Sequence, residues 1–429
     1  MTRPVKSHIR DALTSVLSPQ FIRHHAAALG AVKRRRKVDV VALVCTLVLA
    51  FARGRKRSLA SLRRAYSAAT GTTLAASAFY DRFTPPLATL MQKLTERALA
   101  KLAQGGTKKR RAFGVFAKLL IADGSLVRLP DALERHYPSV WTNHTRASAK
   151  VHVLMNGTTR TPDHVQIAPG STHDLTLMRL EACSIGSLYV FDLAYYQGKL
   201  FRRIIEAGGH FLCRVKKDAN FLIVAADDAR WVGRSHKTVI AQMRGRSFDV
   251  WIDYKYRHIP ERDWTWRHLE LRLVAVWNED LKRHRLYLTS APVFALPAAV
   301  AAEVYAVRWE IELLFRELKS QLHLEHMPSG NKAAAECMLF ASLLALALGR
   351  NLRRELACRA DTHMPAERFS ILFRSVAPLL LELLLASPAH RRDLEHRLRR
   401  VLPFEGPDPN RQRLSLPDRA RAIIPSPPN

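Results

Sequence analysis

Through residues 1–105 apolar positions recur every three to four residues. "PVKSHIRDALTSVL", "KVDVVALVCTLVLAFA", "SLASLRRAYSAA", "SAFYDRFT" and "LATLMQKLTERALAKLA" each carry the helical period, with Pro or Gly between several of them. The spacing predicts an all-helical region. "SAFYDRF" (77–83) is a candidate second helix of a helix-turn-helix, although short helices with an aromatic pair are common. From residue 106 the character changes. "FAKLLIADGSLVRLP" (116–130) predicts a buried strand, a turn at Asp-Gly and a second strand. "KVHVLMNG" and "DHVQIAPG" predict two more strands, "HDLTLMRLEAC" (173–183) a helix, and "SLYVFD" (187–192) a strand ending on an acid. "QGKLFRRIIEAG" predicts a helix and "HFLCRVK" (210–216) a strand. Strands that pair first, followed by a helix leading into a further strand, make an α/β pattern over 106–216.

Residues 217–294 are rich in β-formers and read as an insertion, and the α/β part resumes at 295–356. "LPAAVAAEVYAVRWEIELLFRELKSQ" (296–321) predicts one long helix and "NKAAAECMLFASLLALALGRNLRREL" (331–356) another. Residues 357–401 form a C-terminal helical region. The tail 402–429 is rich in Pro and charge and is expected to lack fixed structure. There are no internal repeats.

Charge points to a partner. The chain has 429 residues and a formal net charge of +31. Self-repulsion of that size opposes compactness unless a polyanion screens it, so nucleic acid is the expected partner and an anionic membrane surface the runner-up. The clusters "KRRRK" (33–37) and "RGRKR" (53–57) flank the apolar helix 40–52 and suit phosphate contact. The longest apolar runs, 40–52 and 338–349, fall short of the roughly 20 residues of a membrane span and predict buried core helices. No signal-peptide pattern opens the chain. Five cysteines without a C-x-x-C pair indicate a reducing compartment, with neither a disulfide framework nor a zinc ribbon.

Three glutamates lie within eight residues on the helix 296–321. At 100° per residue, Tyr305, Arg308, Glu312 and Lys319 share a face about 60° wide. Val307, Ile311, Leu314 and Leu318 form the core stripe. Glu310 and Glu317 point elsewhere and read as ordinary surface acids with helical-spacing partners. Glu312 alone shares its stripe with a Tyr, an Arg and a Lys. That stripe is either a salt-bridged surface or part of a site.

Two further acids bear on the choice. Asp123 ends an apolar strand at a turn, and Asp192 ends another before a loop. Strand ends in α/β sheets are where ligand sites form, although a turn aspartate and a cap are the plainer roles. Three carboxylates from different elements are the hard oxygen ligands that two divalent ions need for phosphodiester chemistry.

Tyr305, two residues, Arg308, three residues, Glu312, six residues, Lys319 is a spacing that resembles the signature of the insertion-sequence-four family of bacterial cut-and-paste transposases. "RWEIELLFRELKS" (308–320) is similar to that family's consensus around its catalytic glutamate. "IADGSLVRLP" and "YVFDLAYY" resemble the segments around its two aspartates. The resemblance covers about residues 75–350. It implies an α/β, ribonuclease-H-like catalytic core interrupted by a β-rich insertion, between an all-helical DNA-binding N-terminal region and C-terminal helices. It implies metal binding and catalysis by Asp123, Asp192 and Glu312, with two Mg²⁺ ions or Mn²⁺ in their place. Tyr305, Arg308 and Lys319 would contact DNA phosphates. The implied partners are double-stranded DNA, as terminal inverted repeats and target, and a second copy of the chain in the DNA complex. The implied setting is the bacterial cytoplasm, at the nucleoid. Family members stack an aromatic side chain of the insertion on a flipped base; Trp264, Trp266 and Trp277 are available, although core or surface tryptophans are commoner. One departure stands out. Ala194 occupies a position that is often Gly, and a loop needing positive φ there would be impaired. The alternatives are a nuclease that cuts without joining and an inactive DNA-binding remnant.

Overall fold

A computed structural model describes residues 9–32, 38–50, 58–104, 113–140, 145–180, 185–259, 264–322, 324, 327–360, 362–407 and 416–424. The basic clusters at 33–37 and 53–57 lie outside the described residues.

The N-terminal region is helical: α1 (Ile9–Val16), α2 (Pro19–Ala28), α3 (Val40–Ala50), α4 (Leu59–Thr70), α5 (Ala76–Tyr80) and α6 (Pro85–Gln104). Nine of the eleven residues of α3 are buried, as its unbroken apolar run requires. Ser18 and Ser58 cap α2 and α4, and Gly71 ends α4 in the left-handed conformation.

The sheet follows: β1 (Leu119–Arg128), β2 (Ser148–Asn156), β3 (Thr161–Pro169), α7 (Asp174–Leu177), β4 (Leu188–Phe191), α8 (Gly198–Glu206), β5 (His210–Arg214), β6 (Leu222–Ala225), α9 (His236–Gln242), β7 (Phe248–His258), β8 (Thr265–Asn278) and β9 (Arg283–Thr289). Its order is β3-β2-β1-β4-β5-β9-β8-β7-β6. β1 pairs antiparallel with β2 and parallel with β4, and β4 pairs parallel with β5. The β-rich insertion joins the same sheet, because β9 pairs antiparallel with β5.

Residues 116–130 do not form two strands around a turn. β1 runs unbroken through Asp123 and Gly124, because β2 pairs with it along its whole length. What stops at that point is the parallel pairing to β4, whose last partners are Ile121 and Val190. Of the helix expected over 173–183, the described residues form only α7, and Met178 after it is extended; 181–183 lie outside the described residues.

The stretch 296–321 is not one regular helix. α10 (Ala298–Ala306) gives way to successive i→i−3 bonds, Val307 to Val304, Arg308 to Tyr305, Glu310 to Val307 and Ile311 to Arg308. α11 (Trp309–Arg316) then widens into a π-turn over Glu317–Gln321. Such over- and under-wound turns inside a helix concentrate at functional sites. α12 (Lys332–Ala360), α13 (Ala366–Leu385) and α14 (Pro388–Glu405) follow. α12 contains a stretch long and apolar enough for a membrane span, but 78% of that stretch is buried, with α6 and α1 packed against the helix. The tail is more ordered than its composition suggests. α14 reaches Glu405, and α15 (Leu416–Ile423) buries Pro417 and Ala420 and packs against α10.

Alternation along β1 divides the two cores. Leu119, Ile121 and Val127 join the large core shared with the helices and with Val307, Ile311, Leu314 and Leu318. Leu120 and Ala122 join a second core with Tyr189, Phe191, Tyr195 and the insertion strands. By the two-residue period, Asp123 points to the side of α11 and Gly124 to the other.

Candidate active site

Asp123 lies just past the end of the β1–β4 pairing, where a carboxylate can leave the apolar interior of the sheet. Its Oδ1 accepts from the Gly124 N–H at 2.8 Å. Asp192 follows β4, and its Oδ1 accepts from the Ala194 N–H at 2.8 Å, capping a 3₁₀ turn over Leu193–Tyr195. Ala194 is not among the residues with positive φ, so this turn forms without glycine. Asp123 senses the Asp192 carboxylate. Burial pushes the Asp123 carboxyl up to about 7, and the Asp192 charge adds to it. The Gly124 N–H and Arg308 oppose that rise, and Asp174 reinforces it.

Glu312 lies on α11 and accepts a hydrogen bond from Arg308 one turn earlier. The charge of Arg308 also acts through space on Asp123. Among the described residues no three acidic, His or Cys side chains converge closely enough to cage an ion by themselves. Asp123 lies within electrostatic reach of Asp192 and of Arg308, the partner of Glu312. The donors nevertheless fit a divalent cation. They are hard carboxylate oxygens, and burial beside the Asp192 charge lets Asp123 hold a proton near neutral pH.

Tyr305 ends α10 with its ring 5.1 Å from that of Tyr287. Burial raises its hydroxyl to about 12 against the pull of Arg308 and Arg214. Lys319 is half-buried in the π-turn. Trp264 and Trp266 are exposed and flank Arg257, whose guanidinium lies 5.1 and 5.7 Å from their ring centres. Trp277 donates to Glu279 at 2.9 Å.

Glu310 and Glu317 are not surface acids. Glu310 is buried and its Oε2 lies 3.2 Å from Arg160 Nε. Glu317 Oε2 lies 2.7 Å from Arg350 Nη2. The helical wheel placed them away from Glu312 but could not show what packs there.

Residues behind Asp123 were also missed. His173 caps α7, and Asp174 is its first residue. Asp174 pairs with Lys150 at 3.0 Å, and a Cβ on Gly124 would collide with its Oδ1. The glycine of Asp-Gly thus serves close approach rather than a turn. His152 Nε2 shares a hydrogen bond with the Tyr195 hydroxyl at 2.9 Å, and burial lowers its pKa to about 4. The available signal was Lys150 and His152 at alternate positions among the apolar residues of β2.

A family model described as "Transposase DDE domain" matches residues 115–348, more than half of the chain. The chain belongs to the DDE transposase family. It is therefore a DNA-cleaving, strand-transferring enzyme that depends on divalent metal. It is 22% identical over 372 residues to the transposase for insertion sequence element IS231F of Bacillus thuringiensis subsp. israelensis, covering 79% of this chain and 78% of that one. It is 28% identical over 233 residues to the putative transposase y4zB of Sinorhizobium fredii, covering 52% and 57%. Its fold is similar to that of the piggyBac transposase in a synaptic complex with hairpin DNA, with a TM-score of 0.51, 11% identity, and coverage of 95% of this chain and 87% of that one. The ribonuclease-H-like core of this transposase is thus interrupted by an insertion that extends its own sheet.

Proposed function

We propose that this transposase moves its element by a cut-and-paste route, with Asp123, Asp192 and Glu312 as the metal-binding and catalytic acids. The observation that carries the reading is the crowding of Asp123 and Asp192 beside the helix of Glu312, with the Asp123 carboxyl raised to about 7. Two Mg²⁺ ions, or Mn²⁺, would supply activation of the attacking oxygen and stabilisation of the leaving one. Asp123 and Asp192 hold their donor oxygens at the end of the parallel strands, each fixed by one backbone N–H. Arg308, Tyr305 and Lys319 bind phosphates next to the cut. Arg308 offers the planar donor fork that phosphate recognition favours, and the phosphate competes with Glu312 for it. The basic helical N-terminal region binds the terminal inverted repeats, and two copies of the chain act on paired ends at the nucleoid.

The test is a cleavage and strand-transfer assay on duplex DNA carrying the repeats that flank the gene. Asp123→Ala, Asp192→Ala and Glu312→Ala should each abolish cutting while leaving DNA binding largely intact. Wild-type cutting by any one of them removes that residue from the site. Cutting without joining would overturn the cut-and-paste route.

A further inference from the structure

The contacts of Glu310 and Glu317 close into one loop around Glu312. Arg160, in the turn between β2 and β3, binds Glu310 at 3.2 Å. Arg350, in the middle of α12, binds Glu317 at 2.7 Å and also donates to the backbone carbonyl of Arg160. A hairpin turn, both ends of α11 and a core helix are thereby tied at one place. Arg160 has φ +56°, a left-handed conformation that side-chain-bearing residues rarely adopt. Such a conformation persists where its surroundings over-determine it. Here Glu310 holds the side chain and Arg350 holds the carbonyl. The links are shielded from water, with Arg350 only 6% exposed and Glu310 only 9%. Arg353 lies in the same region, where burial lowers its guanidinium to about 10.

The apolar residues that seat α11, Val307, Ile311, Leu314 and Leu318, are buried but non-directional. They fix how close the helix lies to the sheet, not its rotation or its position along its axis. Charge-assisted hydrogen bonds from a guanidinium fork do fix both. We infer that Arg350 is a positioning residue for the catalytic helix: by gripping Glu317 and the Arg160 carbonyl together it sets where the turn bearing Glu312 sits. The inference rests on the assignment of Glu312 proposed above. Arg350 is buried and acts through α11.

The full chain is tested as Arg350→Met, Glu317→Met, the double variant and, in parallel, Glu312→Gln. Thermal midpoint, DNA affinity and the single-turnover cleavage constant at saturating DNA and Mg²⁺ are measured for each. Removing one partner of a buried pair destabilises, whereas replacing both with apolar residues of similar size is often neutral. The single variants should lose midpoint and rate. The double variant should melt above both single variants but below the wild type, because the Arg160 carbonyl loses its donor, with unchanged DNA affinity, yet cleave at least ~10-fold more slowly. A stable double variant that cleaves at the wild-type rate overturns the inference, since the pair would then be structural only. If these variants fail to fold, Arg350→Lys decides: it keeps the charge for Glu317 but lacks the fork that also reaches Arg160. Slower cleavage by a folded Arg350→Lys supports positioning, and wild-type cleavage overturns it. Glu312→Gln at the wild-type rate would instead remove Glu312 from the site. A slow double variant beside it would mean that Arg350 positions another group of α11, overturning the inference as stated.

Discussion

Arg308, just ahead of α11, donates to Glu312 on that helix, and the same positive charge lowers the pKa of Asp123 across on β1. One guanidinium therefore couples the helix acid to the strand acid. Replacing it by Gln should raise the pH at which Asp123 ionises. The acid limb of the pH–rate profile for cleavage should move up by ~0.5–1 pH unit. An unmoved limb would show that Asp123 does not feel this charge.

Asp123 also predicts how the metal-free protein responds to pH. Its folded pKa, about 7, lies above its ordinary value of 3.8. Between those values the folded chain binds the extra proton, so stability falls as pH rises through that window and levels off above about 7. Relative to Asp123→Asn, the wild type should therefore lose thermal stability between pH 4 and pH 7.5. A divalent cation, by favouring the ionised carboxylate, should restore it above pH 7. Parallel melting curves of the two proteins across that range would expose the opposite trend.

Gly124→Ala should be costly for a steric reason. The new Cβ would meet the Asp174 carboxylate and the Lys150 side chain beneath it. A loss of ~1–3 kcal/mol in urea unfolding is expected. Asp174→Ala in the same chain should recover much of that loss, because it removes the obstructing oxygen. Additive losses would place the cost elsewhere.

His152 behaves in the opposite sense to Asp123. Its folded pKa, about 4, lies below the ordinary 6.5. Its contribution to stability is complete above pH 6.5 and is lost as pH falls towards 4, because the unfolded imidazole takes up the proton first. His152→Leu should flatten this part of the acid-unfolding profile. Tyr195→Phe should cost ~1–3 kcal/mol at neutral pH by stripping His152 of its hydroxyl partner.

Salt tests the phosphate contacts. Affinity for duplex DNA should fall steeply and linearly in log–log terms as salt rises, since each phosphate contact releases a counterion. A slope near zero in a filter-binding or anisotropy titration would refute an electrostatic grip on DNA.

The strand–helix order of the core was legible because β4 and β5 are short unbroken apolar runs and α8 keeps a helical period. The course of β1 was not. Asp-Gly is a turn signal in isolation, and the reason for Gly124 lies fifty residues on, in the carboxylate of Asp174. The stretch 296–321 keeps a helical stripe of apolar residues although its hydrogen bonds tighten and then widen. Side-chain pattern registers burial, not hydrogen-bond register. Glu310 and Glu317 were misjudged for a related reason: a wheel arranges residues about one axis and is silent on Arg160 and Arg350, which arrive from distant segments.

The antiparallel seam between β9 and β5 has a practical corollary for anyone trimming this protein. An insertion that formed a separate body could be excised at its stem. Here excision would strip Leu212, Cys213 and Arg214 of their partners Thr289, Leu288 and Tyr287, baring a strand edge in the middle of a sheet. Bare edges recruit other chains, so a shortened core would come out of solution as aggregate unless a new edge strand were supplied.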